Sequence, residues 1–182
     1  MQVRTVDIQG LLIIEPKVYV DSRGYFFELY NKKRYEEFGV TGEFVQDNRS
    51  KSKRGVLRGL HFQKTMPQGK LVTVTRGEVY DVAVDLRSNS KTFGQHYGLT
   101  LTEQNKLQFY VPPGFAHGYC VLSEEAEFQY KCTEFYWPED EGGIIWNDPL
   151  LKINWPISDP EISEKDRELN TFEEFCKLPV FD

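Results

Sequence analysis

The stretch that decides the fold is KLVTVTRGEVYDVAVDLR, residues 70–87, near the middle of a 182-residue chain. Apolar and polar residues alternate along it, which is typical of β-strands whose two faces differ. The dipeptide Arg76-Gly77 interrupts the alternation, as a turn does. The pattern predicts one apolar face and one face that carries Lys, Arg and Asp. If the polar row faces inward, it forms a site.

Similar short strands extend on both sides of this stretch, from residue 11 to residue 135, and are separated by Gly, Pro, Asn and Asp. Many short strands with little helical periodicity predict an all-β sandwich or barrel. Helices are predicted only near the margins: over 31–38, and after the capping-box patterns that begin at Ser163 and Thr171. The segment 137–160 is rich in Pro, Gly and Trp, and we interpret it as a long ordered loop that covers one end of the β-structure.

Length and composition limit the possible functions. No repeat, low-complexity tract or linker divides the chain, so residues 1–182 are predicted to form a single domain. The net charge of −6 argues against general nucleic-acid binding. No apolar run approaches the roughly 20 residues of a membrane helix, and the first residues lack the apolar region of a signal peptide. We therefore expect a cytoplasmic protein that does not bind membranes.

Three widely spaced cysteines predict neither a disulfide framework nor a zinc site, and we interpret them as small apolar fillers.

One region is locally basic. Five cations fall within ten residues that contain no acid: Arg49, Lys51, Lys53, Arg54 and Arg58. We interpret Lys51 and Lys53 as part of a solvated turn before a strand. Arg58 differs because it lies inside a strand pattern, three residues before His61. An acidic protein that binds an anion needs such local positive charge, and Arg58 is the cation we place in a site.

Two of the three histidines lie in short motifs, GLHFQ at 59–63 and PPGFAH at 112–117. The second motif resembles the second motif of the cupin superfamily, whose fold is a jelly-roll β-barrel. Metal-binding cupins supply His-x-His and a Glu from the first motif, but here that motif offers only His61. A neutral imidazole without a metal is free to act as a general base near neutral pH. The sequence therefore predicts no metal and no cofactor.

Further motifs make the resemblance specific. They are RGYFFE (23–28), FVQDNRS (44–50), GVLRGLHFQ (55–63), DVAVDLR (81–87), GFAHG (114–118), Tyr130-Lys131, WNDP (146–149) and SEKD (163–166). Together, in this order, they resemble the dTDP-4-dehydrorhamnose 3,5-epimerase family over nearly the whole chain. The resemblance implies a jelly-roll, cupin-like β-barrel or sandwich with short peripheral helices near the termini.

It also implies the conversion of dTDP-4-dehydro-6-deoxy-D-glucose to dTDP-4-dehydro-L-rhamnose by inversion at C3 and C5. The family's roles carry over to four residues. His61 is the base, and Asp166 orients it. Tyr130 donates a proton from the opposite face of the sugar, and Lys70 stabilises the enolate. The sequence RELN at 167–170 departs from the proline-containing tail expected after Lys165 and Asp166, so the placement of Asp166 against His61 is the link that most needs a structure.

Substrate contacts follow from the resemblance in the same way. The implied residues are Arg23, Glu28, Gln46, Asp47, Asn48, Arg58, His117, Glu141 and Lys165. Arginine and lysine would hold the pyrophosphate. The family also implies a homodimer in which the N-terminal strand crosses to the neighbouring chain, so that Arg23 and Glu28 serve the partner's site.

Three alternatives stay open at this point. A mono-epimerase would invert only C3 or only C5, and Tyr136 lies where family members differ in this respect. A metal-dependent cupin would use His61, His117 and a carboxylate as ligands. A non-catalytic sugar-binding jelly roll would not need an opposed base and acid.

Asp81 and Asp85, four residues apart, are predicted to share one face of a strand. Asp81 is a candidate partner for a histidine, and Asp85 for Arg87 or a loop amide.

Overall fold

A computed structural model describes residues 1–182, with thirteen strands, three short α-helices and one 3₁₀ turn. The first seven strands are β1 (Gln2–Thr5), β2 (Leu12–Glu15), β3 (Tyr19–Asp21), β4 (Gly24–Phe26), β5 (Gln46–Lys53), β6 (Leu57–Gln63) and β7 (Lys70–Arg76). The others are β8 (Glu78–Asp85), β9 (His96–Thr102), β10 (Gln108–Val111), β11 (Phe115–Val121), β12 (Glu125–Cys132) and β13 (Glu141–Gly143). The helices are α1 (Lys32–Glu37), α2 (Glu164–Arg167) and α3 (Phe172–Lys177), and the 3₁₀ turn is Pro138–Asp140. No helix is long and apolar enough to cross a membrane.

The strands form two main antiparallel sheets. The six-stranded sheet has the order β1-β2-β10-β7-β12-β5, and the five-stranded sheet has the order β13-β6-β11-β8-β9. Strands β3 and β4 form a separate hairpin. Neighbouring strands within each sheet are mostly distant in sequence, as in a jelly roll. The predicted all-β, cupin-like class is confirmed, and the two unclosed sheets make it a sandwich rather than a closed barrel.

The stretch 70–87 joins the two sheets. β7 lies in the six-stranded sheet and β8 in the five-stranded sheet, and Gly77 turns the chain between them with a φ of +76°. A Cβ at this glycine would collide with the carbonyl oxygen of Glu125. The predicted division into an apolar face and a face that carries Lys, Arg and Asp does not extend through β8, because most of its residues on both faces are buried. Of the polar groups in this stretch, Lys70 lines the pocket described below and Asp81 contacts its lining residue His117, whereas Asp85 binds a loop at the end of β8.

Three apolar clusters stabilise the sandwich. The largest lies between the sheets and includes Val72 and Phe109 from one sheet and Val79 and Leu101 from the other. The outer face of the five-stranded sheet is covered by the C-terminal segment, and the outer face of the six-stranded sheet is covered in part by Tyr35 of α1. Burial of apolar surface on both faces of each sheet explains why few strands show clean alternation.

The helices lie where the capping signals predicted them. Thr171 and Glu174 form a complete capping box at α3. Ser163 caps α2 by accepting a hydrogen bond from the Asp166 N–H at 3.1 Å. The Asp166 side chain does not return to the cap, because it points into the pocket. The segment 137–160 was predicted as a loop throughout, but its residues 141–143 pair with β6 as strand β13.

The basic region is a strand and not a solvated turn, so that interpretation was wrong. Lys51 and Lys53 lie in β5 and pair with Glu125 at 2.6 Å and Glu161 at 2.8 Å, and Arg49 pairs with Glu127. These ion pairs neutralise the positive charges of β5 at the sheet edge. The cysteines are all free, but only Cys120 and Cys132 are buried fillers, since Cys176 is exposed.

Asp85 is a fully buried carboxylate that ties a loop to the end of β8. It accepts hydrogen bonds from Arg87, Ser90 and Thr92, and the shortest is 2.6 Å. Burial alone would raise the pKa of Asp85, but these donors hold it below its ordinary value. The folded state therefore favours the ionised form, and that stability is lost as the pH falls through the lowered folded-state pKa.

We expect Asp85→Ala to lower the free energy of unfolding at pH 7 by about 3 kcal/mol, because it leaves Arg87 and two hydroxyls without their shared acceptor. Urea denaturation measures this loss. The control Glu15→Ala removes an exposed partner of Arg4 at 4.0 Å and should cost less than about 1 kcal/mol. Equal losses in the two variants would contradict the role given to Asp85.

Candidate active site

A pocket of about 580 Å³ lies where the two sheets and the C-terminal tail meet. Strands β6 and β11 contribute His61 and His117 from the five-stranded sheet. Strands β7 and β12 contribute Lys70 and Tyr130 from the six-stranded sheet. The site thus has two walls, each built on a rigid sheet.

The first feature of the site is a histidine–aspartate pair. His61 Nε2 lies 2.8 Å from Asp166 Oδ1, and the Asp166 side chain is only 5% exposed. Burial would raise the pKa of Asp166, but hydrogen bonds from His61, Gly59 N–H and Ser163 hold it below its ordinary value. The carboxylate is therefore charged at neutral pH. It favours the tautomer with a proton on Nε2 and leaves Nδ1 without a protein partner.

The tail reaches the histidine because β6 anchors it. Glu161 pairs with Val56 just before β6 begins, with hydrogen bonds of 2.8 Å to the Gly55 carbonyl and 2.9 Å from the Leu57 N–H. From there Ser163 starts α2, whose third residue is Asp166. The departure of residues 167–170 from the expected tail does not disturb this arrangement, since the anchor precedes them.

Gly59 explains part of the GLHFQ motif. Its φ is +122°, and a Cβ there would lie 2.6 Å from Gly118 Cα. The missing side chain lets β6 approach β11 closely, and His61 and His117 stand directly opposite each other in the register. Two histidines from separate motifs therefore share one wall of the pocket.

His117 forms a second histidine–aspartate pair. Its Nε2 lies 2.9 Å from Asp81 Oδ1 and 3.1 Å from Oδ2, and both residues are buried. The open alternative that Asp81 partners a histidine is confirmed, as is the one that Asp85 binds Arg87. His117 is less exposed than His61, whose side chain is 28% exposed, so His61 is the more accessible imidazole.

Tyr130 and Lys70 occupy the opposite wall. Burial is the main cause that raises the pKa of Tyr130 to about 12, so its phenol is protonated at neutral pH. Burial lowers the pKa of Lys70, which pairs with no carboxylate within 4.0 Å. A neutral phenol can donate a proton, and an unpaired ammonium can stabilise an oxyanion.

The mouth of the pocket carries further charge. Arg58 donates to Ser52 Oγ at 3.2 Å and has no acidic partner. Lys165 binds Glu141 at 2.6 Å, and this contact is the main cause that raises the pKa of Lys165. Arg58 and Lys70 thus give the pocket of an acidic protein two cations that no carboxylate neutralises directly.

The residues do not fit a cupin metal centre. His61 and His117 each use Nε2 for their own aspartate, and no group of three or more His, Cys, Asp or Glu side chains is arranged to hold a metal. We therefore derive no step through a metal.

The structure brings together eight of the thirteen predicted site residues. The eight that line the pocket are Arg58, His61, Lys70, His117, Tyr130, Glu141, Lys165 and Asp166. Arg23 and Glu28 lie elsewhere in this chain, and each is paired locally: Arg23 with Asp21 at 2.7 Å and Glu28 with Arg34 at 2.9 Å. That Arg23 and Glu28 contact substrate in the site of a neighbouring chain stays a prediction.

The other three, Gln46, Asp47 and Asn48, begin strand β5 at the sheet edge and do not line the pocket. Asn48 stands opposite Tyr130 in the register, so the group adjoins the six-stranded wall. Asp47 pairs with Lys131 at 2.9 Å, and Gln46 binds Asn48 at 3.0 Å. Their contact with substrate also stays a prediction.

Sequence reasoning left out two residues that help to build the pocket, Asp81 and Tyr119. Asp81 was considered and not placed in the site, although an acid in the middle of an apolar strand was a usable signal. Tyr119 stacks on Phe128 with ring centroids 4.0 Å apart. Its hydroxyl lies 2.8 Å from Ser50 Oγ. Nothing in its local pattern separated this tyrosine from a core aromatic.

Fold and site together define a cupin-like jelly-roll protein whose pocket places a histidine–aspartate pair on one wall and a neutral phenol on the other. A family model described as dTDP-4-dehydrorhamnose 3,5-epimerase matches residues 5–174. The chain belongs to this family, and the resemblance predicted from the motifs is confirmed.

Three similar proteins illustrate the match. A dTDP-4-dehydrorhamnose 3,5-epimerase of Pseudomonas aeruginosa is 55% identical over 94% of this chain and 96% of its own. The crystal structure of a dTDP-6-deoxy-D-glucose-3,5-epimerase from Legionella pneumophila, in complex with dTDP-4-keto-L-rhamnose, is 49% identical, with a TM-score of 0.95 over 100% of this chain and 98% of that one. A 3'-monoepimerase from Streptomyces bikiniensis, in complex with dTDP-quinovose, is 30% identical, with a TM-score of 0.89 over 97% of this chain and 90% of that one.

Proposed function

We propose that this protein is a dTDP-4-dehydrorhamnose 3,5-epimerase, which converts dTDP-4-dehydro-6-deoxy-D-glucose to dTDP-4-dehydro-L-rhamnose by inverting C3 and C5. The observation that carries the proposal is the placement of the His61–Asp166 pair on one wall of the pocket and of Tyr130 and Lys70 on the other. Inversion at carbon needs a base and an acid on opposite faces of the sugar. Relatives about 50% identical that bear this activity in their names support the same assignment.

The first half of each inversion removes a proton from carbon. C3 and C5 both adjoin the C4 carbonyl, so their hydrogens are the acidic ones. The free Nδ1 of His61 takes the proton, and the C–H electron pair moves to form an enolate with its charge on the C4 oxygen. Asp166 stabilises the resulting imidazolium, and the Lys70 ammonium stabilises the enolate.

The second half returns a proton from the other side. Tyr130 donates its phenolic proton to the carbon as the enolate collapses to the ketone, and the centre is inverted. His61 then holds one proton more than at the start and Tyr130 one fewer. Exchange with water resets both before the second inversion. The pKa of about 12 fits a group that must be protonated at the start of each cycle.

The nucleotide is held outside the reacting centre. We assign the pyrophosphate to Arg58 and Lys165, because a planar guanidinium and an ammonium match phosphate oxygens. Glu141 and His117 contact the sugar, and Gln46, Asp47 and Asn48 extend the site along β5. Arg23 and Glu28 would enter from a second copy, in a homodimer formed by exchange of the N-terminal strand.

The test is turnover of dTDP-4-dehydro-6-deoxyglucose in deuterium oxide, with label followed by NMR at each carbon. We expect deuterium at both C3 and C5. Label at one carbon only would make the protein a mono-epimerase, as the Streptomyces bikiniensis neighbour is named. Absence of label would reject the epimerase proposal. Stoichiometric bound metal, with activity lost on chelation, would instead favour the metal-dependent alternative.

A further inference from the structure

One side of the pocket mouth is built from an exposed aromatic segment, residues 135–137. Phe135, Tyr136 and Trp137 are each about half exposed, and Tyr136 lines the pocket. Half-exposed rings bury little apolar surface, so packing alone holds this segment weakly. Its position depends on hydrogen bonds to its main chain.

Gln63 makes two of those bonds, one on each side of Tyr136. It is the last residue of β6 and only 3% exposed, and both the nitrogen and the oxygen of its amide are hydrogen-bonded. Its Nε2 donates to the carbonyl oxygens of Met66 at 2.7 Å and Phe135 at 3.1 Å. Its Oε1 accepts from the Trp137 N–H at 2.9 Å. One side chain thus forms hydrogen bonds to the residues directly before and after Tyr136.

The Tyr136 side chain links the aromatic segment to β13 as well. Its hydroxyl donates to Glu141 Oε2 at 2.5 Å, and Glu141 stands directly opposite Gln63 where β13 pairs with β6. Gln46 Oε1 accepts from the Tyr136 N–H at 2.9 Å. The segment is therefore fixed to β6, β13 and β5 at once.

We propose that Gln63 is a positioning residue, which holds Tyr136 as a wall of the substrate pocket at a set distance from His61. Gln63 and His61 are two residues apart on β6, so they share a face of the strand and move together. Gln63 itself lines the pocket, but main-chain groups of Met66, Phe135 and Trp137 occupy its amide, so it acts through Tyr136 and not on the reacting atoms. The inference rests on the proposed function, because it assigns Gln63 to binding of that same substrate.

The test compares Gln63→Met with a matched control in saturation kinetics. Methionine keeps the volume and removes all three hydrogen bonds. We expect KM to rise about tenfold while kcat stays within about threefold, because His61, Lys70 and Tyr130 keep their places. A purely structural role would lower the folded fraction, which reduces the apparent kcat and leaves KM unchanged.

Asp148→Asn is the control. Asp148 is also 3% exposed, and its side chain also makes three hydrogen bonds to the main chain, all as an acceptor, from Leu150, Leu151 and Phe172; it lies outside the pocket. It should lower the melting temperature without moving KM. An equal rise of KM in both variants would overturn the role given to Gln63.

A second measurement keeps the proposal testable if Gln63→Met folds poorly. Tyr136→Ala changes a half-exposed ring and should raise KM on its own. Gln63→Glu in that background should alter KM less than about twofold, although in the wild-type background it raises KM, because its carboxylate repels the Phe135 carbonyl. Additive effects would show that Gln63 does not act through Tyr136.

The two proposals fail in different ways. Absence of turnover by the wild-type protein would reject the proposed function. Normal wild-type turnover with an unchanged KM in the Gln63 variants would reject only the role given to Gln63.

Discussion

His61→Asn is expected to reduce turnover and deuterium exchange at both carbons by at least about 10³-fold, which corresponds to roughly 4 kcal/mol of lost transition-state stabilisation. Asparagine retains a polar contact with Asp166 but has no basic nitrogen at neutral pH. The fold should therefore persist while proton removal stops. The measurement is NMR-detected exchange at C3 and C5, with circular dichroism to confirm folding.

The neighbouring pair provides the matched control. His117→Asn breaks a histidine–aspartate pair of the same kind on the strand that faces β6. It should raise KM and leave more exchange than His61→Asn, because His117 is assigned to substrate contact. If His117→Asn abolished exchange and His61→Asn retained it, the base would have been assigned to the wrong histidine.

Lys70→Met is expected to lower kcat by about 10²–10³-fold, as loss of an oxyanion donor does, with a smaller effect on KM. The same change should raise the melting temperature. Burial lowers the pKa of Lys70, so the folded protein binds this proton less tightly than the unfolded chain does. Stability of the wild type therefore rises with pH between the lowered value and the ordinary one near 10.4.

The stabilisation by Lys70→Met should accordingly be largest near neutral pH and vanish at high pH, where the lysine is neutral in both states. Thermal denaturation at several pH values measures it, with about 2–4 °C expected for each kcal/mol gained. Lys165→Met is the comparison, since it removes a more exposed cation paired with Glu141 and should chiefly raise KM. A tenfold higher KM with unchanged kcat in Lys70→Met would show that Lys70 binds the phosphates and does not stabilise the enolate.

Some features of the site were predictable from local sequence because they depend on neighbours within a few residues. The capping signals at Ser163 and Thr171 placed α2 and α3, and the spacing of Asp81 and Asp85 placed both on one face of β8. The strand position of Arg58 separated it from the other cations. Its neighbours Lys51 and Lys53 were misjudged because their partners, Glu125 and Glu161, come from distant parts of the chain.

By itself, the sequence determined the all-β class, the family and the residues to suspect. Alternation fixes which side chains share a face of one strand, and motifs of several residues are specific to a family. Only the tertiary structure decided which wall each group occupies. His61 and Asp166 are 105 residues apart, and they meet because the Glu161 anchor pairs with the segment before β6. Lys70 and Tyr130 face them because their strands joined the other sheet. Such pairings between distant strands are selected by burial over the whole domain, and no local pattern encodes them.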